Sequence, residues 1–280
     1  MAVITLLSDF GLDDEYVGVM KGVILATHSQ ARIVDITHRI APQDLVAAAY
    51  CIRSAYRYFP RGTVHVVVVD PGVGSSRSIV AVKLQGHTFL APDNGVLTLV
   101  LEERRADEIV RVSNDRLFLK PVSRTFHGRD IMAPVAGHLS MGLQMDRLGP
   151  GVAAEDLKRL PLGKAGFNVD GDLEGAVVLI DRFGNLITNI DSEKLASLAV
   201  KSGDRGIEIR IAQHRIAGLS QSYADVSAGA PLAIVGSKGF LEIAINCGRA
   251  ERYFEACRGD TITLSVGSTK TVPDANQTIQ

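Results

Sequence analysis

The run His-Val-Val-Val-Val over 65–69, followed at once by Asp70-Pro71-Gly72, constrains the fold more than any other part of the chain. Four consecutive β-branched residues favour extended backbone, and a run this short with no polar alternation has no face to offer to water. It reads as a strand buried on both sides, which requires a sheet wrapped by helices. The neighbouring sequence supplies those partners. Residues 3–7 and 32–36 read as further strands, with one helix over 15–27 and another over 44–58 that Asp44 caps. Segments 78–84 and 88–91 predict a hairpin around Gln85-Gly86, and 129–139 predicts a helix disturbed at Pro134.

From Leu148 onward the periodicity gives way to glycines and prolines, and a linker is expected over 161–172. Short strands at 174–180, 186–190, 207–211, 232–235 and 241–245, with helices at 192–198 and 249–257, then suit a small β-barrel or sandwich. The expected domains are 1–160 and 173–267, followed by a flexible polar tail over 268–280.

The 30 Lys and Arg balance 31 Asp and Glu, for a net charge of -1, which disfavours a nucleic-acid partner. No apolar run reaches the ~18 residues of a membrane span, and the start MAVITLLSDF lacks the basic flank of a secretory signal. A cytoplasmic chain with no membrane partner is expected. Cys51, Cys247 and Cys257 form no CxxC pair and are odd in number, so core thiols are expected rather than disulfides or a zinc site.

Four loops gather Asp, Gly, Asn or His at predicted strand ends, where open α/β sheets bind ligands: Ser8-Asp9-Phe10-Gly11, the stretch from Asp70 to Arg77, Pro92-Asp93-Asn94-Gly95, and Phe126-His127-Gly128-Arg129-Asp130. A carboxylate closing a buried strand needs a partner to stay ionised, and Arg77 can supply it. Whether that pair serves a site or fixes a turn is open at this level. His127 stands out by its company, between Phe126 and a glycine at a helix start. His28, His87 and His214 read as turn or edge residues and His65 as a strand head, all with surface or capping roles; His38 and His138 are ambiguous.

A metal-dependent phosphohydrolase is the rival reading, with Asp9, Asp13, Asp14, Asp70, Asp93, His127 and Asp130 as candidate ligands, yet no HxxxH, HxH or DxDxD spacing is present. Asp9-Phe10-Gly11 matches a kinase magnesium triplet without the rest of a kinase, and the Gly72–Ser76 stretch lacks the Gly-Lys-Ser/Thr ending of a phosphate loop. In the second half, Asp181-Arg182-Phe183-Gly184-Asn185, Ser237-Lys238-Gly239, Tyr223 and Asn246 are either turn and core residues or parts of a site.

Taken together, SDFGLDDEYVGVMKGVI, IVDITHRIAPQDLVAAAY, YFPRGTVHVVVVDPGVGSSR, FLAPDNGV, TFHGRDIMAPVAGHL, IDRFGNLITNI and GSKGFLEIAINCG resemble the S-adenosyl-L-methionine (SAM) hydroxide adenosyltransferases, relatives of the fluorinase and chlorinase, over nearly all of residues 1–266. The resemblance implies an α/β N-terminal domain with a central, mostly parallel sheet flanked by helices, a smaller C-terminal β-barrel domain, and a homotrimer with sites at subunit interfaces. It implies hydrolysis of SAM, in either sulfonium epimer, to adenosine and methionine, with no cofactor and no metal. A non-enzymatic adenosine or SAM sensor is the other reading. The family's catalytic trio falls on Asp70, Arg77 and His127; in the halogenases the positions matching Asp70 and His127 carry other residues. By the same resemblance Asp9 holds the ribose hydroxyls, and Phe126 and Gly128 line the substrate. Asp181, Asn185 and Ser237 lie near methionine or ribose, Phe183 and Tyr223 flank flat parts of the ligand, and Asn246 sits by the adenine. Gln43 stands where the halogenases have a tryptophan, and Lys238 where they have an arginine.

Overall fold

In the computed structural model, which describes residues 3–266, the chain divides into two units, Met1–Pro161 and Leu162–Gln280. The tail expected over 268–280 lies outside the described residues. The first unit holds six strands: β1 (Val3–Ser8), β2 (Arg32–Thr37), β3 (Val64–Val68), β4 (Ile79–Leu84), β5 (His87–Pro92) and β6 (Glu108–Arg111), in the order β2-β1-β3-β5-β4-β6. β1 runs parallel to β2 and β3, and β3 to β5, while β4 is antiparallel to β5 and β6. The sheet is therefore mixed, parallel at its centre and antiparallel at one edge.

All five residues of β3 are buried, His65 among its four valines. Alternate side chains serve opposite cores. Ile4, Leu6, Val64, Val66 and Val68 pack with Met20 and Ile24 of α1 (Tyr16–Thr27) and Val135 of α4 (Ala133–Ser140). Leu7 and Val67 face the other way, with Ile52 of α2 (Leu45–Ala55) and Val100 of α3 (Thr98–Glu103). Each such valine contributes roughly 1.5–3 kcal/mol by leaving water. Asp44 caps α2 by accepting from Ala47 N at 2.9 Å. Gln85 (φ 52°) and Gly86 (φ 81°) form the two-residue turn of the β4–β5 hairpin, both central positions having positive φ as a type I′ turn requires.

The strand order reverses direction between β1 and β3, which are neighbours with Ser8 beside Val68. Loops leaving the carboxyl ends of two such strands diverge and open a crevice. Those loops carry Asp9 and Asp70.

The helix expected to be disturbed at Pro134 is irregular one turn earlier, where Gly128–Met132 forms a π-helical turn leading into α4. Pro134 has no N–H for the carbonyl of Asp130, and Leu119 N donates to that carbonyl instead at 2.8 Å. The surface or capping role expected for His65 and His87 does not hold. Both are buried, with Thr5 Oγ1 2.7 Å from His65 Nδ1 and His65 Nε2 3.1 Å from His87 Nδ1, under the rings of Tyr56 and Phe89. The cysteines are not all core thiols either: Cys51 is half-buried, and Cys247 and Cys257 are exposed.

The paired strands of the second unit are antiparallel. Its strands are β7 (Gly166–Phe167), β8 (Leu173–Ile180), β9 (Leu186–Asp191), β10 (Ile207–Ile211), β11 (His214–Ala217), β12 (Pro231–Val235), β13 (Phe240–Ile245) and β14 (Thr261–Val266). Seven follow the order β11-β10-β14-β8-β9-β13-β12, with β7 paired to β8 inside the segment expected as a linker. A bridge between Ser220, just past β11, and Ile234 of β12 nearly closes the sheet into a barrel. Leu173, Val177, Leu186, Ile209, Ile243, Ile262 and Leu264 fill it together with Leu195 and Leu198 of α5 (Ser192–Ser202), a helix capped by Asp191. The helix expected over 249–257 is only the short α6 (Ala250–Tyr253). Among the described residues no helix is long and apolar enough to cross a membrane.

Candidate active site

Asp70 leaves β3 directly after the buried Val69, and Asn94 holds that exit by donating from Nδ2 to the Val69 carbonyl at 2.9 Å. The chain then coils back through Val73 N to Asp70 O (3.2 Å) and Ser75 N to Gly72 O (3.1 Å). Gly74 is obligatory in this coil. Its φ is +78°, and a Cβ there would run into the Arg124 carbonyl.

The coil returns Arg77 to Asp70. Arg77 Nε donates to Asp70 Oδ1 at 2.9 Å, Nη2 donates to Oδ2, and the same Nη2 donates to His127 Nδ1 at 2.8 Å. The Arg77 and Asp70 side chains are only 5% and 6% exposed, so each supplies the countercharge that the other's burial demands. A guanidinium has donors only, so His127 Nδ1 must accept and the neutral ring carries its proton on Nε2. Burial, and after it the Arg77 charge, hold His127 below the ordinary imidazole range, against the opposing pull of Asp70, Asp130 and a backbone bond to Ser123.

His127 is aimed by the start of the π-helical turn, which the buried Asp130 ties down. Asp130 accepts from Arg129 Nε at 2.6 Å and Nη2 at 3.0 Å and from Ser123 N at 2.7 Å. These bonds outweigh the burial that alone would raise its pKa, and hold it below the usual carboxylate value. Gly128 lies against Met20 Sδ and Val68 Cγ1, each 3.2 Å from where a Cβ would stand. Phe10, Tyr16 and Phe126 form a triangle of ring contacts with centroids 5.2–5.6 Å apart. Beside them Asp9 Oδ2 accepts from Gln43 N at 2.8 Å, Gln43 having φ 64°. Gln43 thus presents backbone to Asp9.

In the second unit, Asp181 organises a tight turn, its Oδ1 accepting from Phe183 N (2.8 Å) and Asn185 N (2.9 Å) and its Oδ2 from Asn185 Nδ2 (3.2 Å). Phe183 is left 72% exposed. Tyr223 donates its hydroxyl to Glu242 of β13, whose carboxyl is pushed up by burial first, with the Tyr223 bond opposing and the Asp181 charge adding. The Lys238 charge opposes that rise at the same carboxyl. Ser237 and Lys238 precede β13 and Asn246 follows it, at its opposite ends. Asn246 Nδ2 donates to the Val226 carbonyl at 2.8 Å.

Two family models cover most of the chain: the SAM hydroxide adenosyltransferase N-terminal domain matches residues 4–149 and the C-terminal domain 175–263. The chain belongs to the SAM hydroxide adenosyltransferase family. Members of this family transfer an adenosyl group to hydroxide, and the chain is accordingly an enzyme. It is 40% identical to an (R)-S-adenosyl-L-methionine hydrolase of Thermus thermophilus, over 94% of this chain and 100% of the relative. It is 28% identical to a fluorinase of Nocardia brasiliensis, over 95% and 97%. A solved but uncharacterized conserved protein from Thermotoga maritima superposes with a TM-score of 0.86 at 39% identity, over 94% of this chain and 99% of that one.

For this adenosyltransferase the first unit joins Asp70, Arg77 and His127 in one hydrogen-bonded group and sets Phe10 against Phe126. Among the described residues no three His, Cys, Asp or Glu side chains are arranged to hold a metal ion. Three residues escape a reading of the sequence. Tyr16 completes the aromatic triangle; its signal is an exposed aromatic at a helix start. Glu242 is a charge within an otherwise apolar strand, a legible anomaly. His38, buried against Ser8, gives no local signal at all.

Proposed function

We propose that the protein hydrolyses (R)-S-adenosyl-L-methionine to adenosine and L-methionine by attack of water on ribose C5′, with Asp70, Arg77 and His127 as the catalytic group. The observation that carries this reading is the single guanidinium that joins a buried carboxylate, just past the carboxyl end of β3, to an imidazole. The (R) form is the one named for the 40% identical relative.

The chemistry suits the residues. Water oxygen bonds to C5′ as the C5′–S bond breaks, its electron pair leaving with sulfur as a neutral thioether. Positive charge on sulfur and negative charge on the base cancel in the transition state, and an aromatic wall that excludes bulk water favours cancellation over separation. Phe10, Tyr16 and Phe126 supply that wall in this unit. Asp9, fixed by Gln43 N, holds the ribose hydroxyls so that C5′ faces the water; such orientation is worth up to roughly 7–11 kcal/mol.

Water needs a base, and general-base help is typically ~10²–10⁴-fold. The Nδ1 lone pair of His127 is committed to Arg77, whereas each Asp70 oxygen keeps a further lone pair. Asp70 therefore takes the water proton, Arg77 aims it with two donors, and His127 holds Arg77 from the other side. In the second unit, Asp181, Asn185, Ser237, Lys238, Tyr223 and Asn246 serve the methionine, ribose and adenine, and Phe183 flanks the ligand. A homotrimer with sites between cytoplasmic subunits completes the reading; sedimentation of the purified protein tests the assembly.

Chromatography of (R)- and (S)-SAM incubated with the protein tests the activity. Adenosine and methionine released in equal amounts, faster from the (R) form, are expected; binding of either epimer with no adenosine on long incubation identifies a sensor instead.

A further inference from the structure

We infer that His38 is a positioning residue for Asp9, acting through Ser8 and its own carbonyl to hold the Asp9 carboxylate where a ribose diol would meet it. The inference rests on the proposed ribose role of Asp9 and goes beyond it to a side chain that touches no substrate.

β1 and β2 run parallel, but their register slips between Leu6, which faces Asp35, and Leu7, which faces Thr37. The slip advances the end of β2 by one residue and sets His38 beside Ser8. Both are almost fully buried, at 4% and 2% exposure, with Ser8 Oγ 2.7 Å from His38 Nδ1. On its other side His38 Nε2 lies 3.1 Å from Asp35 Oδ1, an ion-pair distance at an angle outside hydrogen-bond geometry. Lys21 Nζ donates to Asp35 Oδ2 at 2.7 Å.

With the ring neutral and its Nε2–H toward the Asp35 carboxylate, Nδ1 accepts from the Ser8 hydroxyl. The Ser8 oxygen keeps a lone pair for Phe10 N, at 3.4 Å. Meanwhile the His38 carbonyl accepts from Gly11 N at 2.8 Å. One residue thus grips both ends of the loop from Ser8 to Gly11, and Asp9 is held between them with Oδ2 on Gln43 N. The imidazole holds Ser8 at one end of the loop and the carbonyl of the same residue holds Gly11 at the other, so the seating of the buried ring sets where the Asp9 carboxylate between them stands.

Calorimetric binding of adenosine and of 2′,3′-dideoxyadenosine separates this role from simple stabilisation. His38→Ala and Ser8→Ala are expected to weaken adenosine about tenfold, the worth of one well-placed hydrogen bond, and to leave the dideoxy analogue within about twofold of wild type. In an Asp9→Asn background the His38→Ala effect on adenosine should disappear. His38→Asn, whose Oδ1 can occupy the Nδ1 acceptor position, should restore most of the affinity. Equal weakening of both nucleosides, or adenosine affinity unchanged in both Ala variants, overturns the inference alone. If wild type binds both nucleosides equally, the ribose reading of Asp9 falls, and this inference with it. Should His38→Ala not fold, Ser8→Ala and His38→Asn separate the same outcomes.

Discussion

Replacing Arg77 with lysine keeps the charge and removes the geometry, so it isolates what the fork contributes. Arg77 makes three hydrogen bonds from two nitrogens, two to Asp70 and one to His127. A lysine ammonium on a shorter reach can replace one of them at best. Two lost charge-assisted bonds, at about 1.5 kcal/mol each because the charge remains, come to about 3 kcal/mol. If the trio acts on the water and not on the nucleoside, that loss falls on the transition state, and kcat drops by roughly 10²-fold. Adenosine affinity stays within about threefold of wild type. Chromatographic initial rates with (R)-SAM, paired with adenosine calorimetry, measure both quantities. An Arg77→Lys enzyme with kcat within threefold of wild type refutes the reasoning, as does one whose kcat holds while KM rises in proportion.

Two further predictions concern pH and the loop. His127 is held below the ordinary imidazole value and His65 is pushed down to about 3, by burial first and then by His87. In both cases the unfolded chain takes up a proton at a pH where the folded one does not, so stability falls as pH drops from about 6.5 toward the folded values. For His65 the full drop corresponds to on the order of 5 kcal/mol, most of it seen as falling urea midpoints between pH 7 and pH 4; midpoints constant over that range contradict it. Gly74→Ala forces a side chain into a positive-φ position against the Arg124 carbonyl. It should cost about 2 kcal/mol or more in thermal stability and lower kcat by misaiming Arg77, whereas an unchanged melting temperature would mean the coil has slack.

Much of the first unit is legible because its signals are local. An unbroken valine run demands burial on both faces, and a carboxylate at its end demands a cation, which Arg77 supplies within the same loop. What escapes is decided by contacts distant in sequence. The Ser8–His38 bond joins residues 30 apart, and the burial of His65 comes from pairing with Thr5 and His87. Among the strands, β14 is not evident although Ile262 and Leu264 alternate with threonines, because a short Thr-rich segment also reads as loop. β6 and β11, each four residues long, are strands only because partners offer them a ladder. In the second unit the turn reading of Asp181 and Asn185 is what their hydrogen bonds perform, while Glu242 stands out in the sequence as a charge in an apolar strand but its partner Tyr223, 19 residues away, does not.

Water as the attacking group at C5′ is tested most directly by incubating (R)-SAM with the protein in ¹⁸O-labelled water and locating the label by mass spectrometry. Label in the adenosine 5′-hydroxyl, with none in methionine, is the predicted result. Adenosine without label would mean that oxygen arrives from elsewhere, and label in a ring-opened or methionine-derived product would place bond cleavage away from C5′.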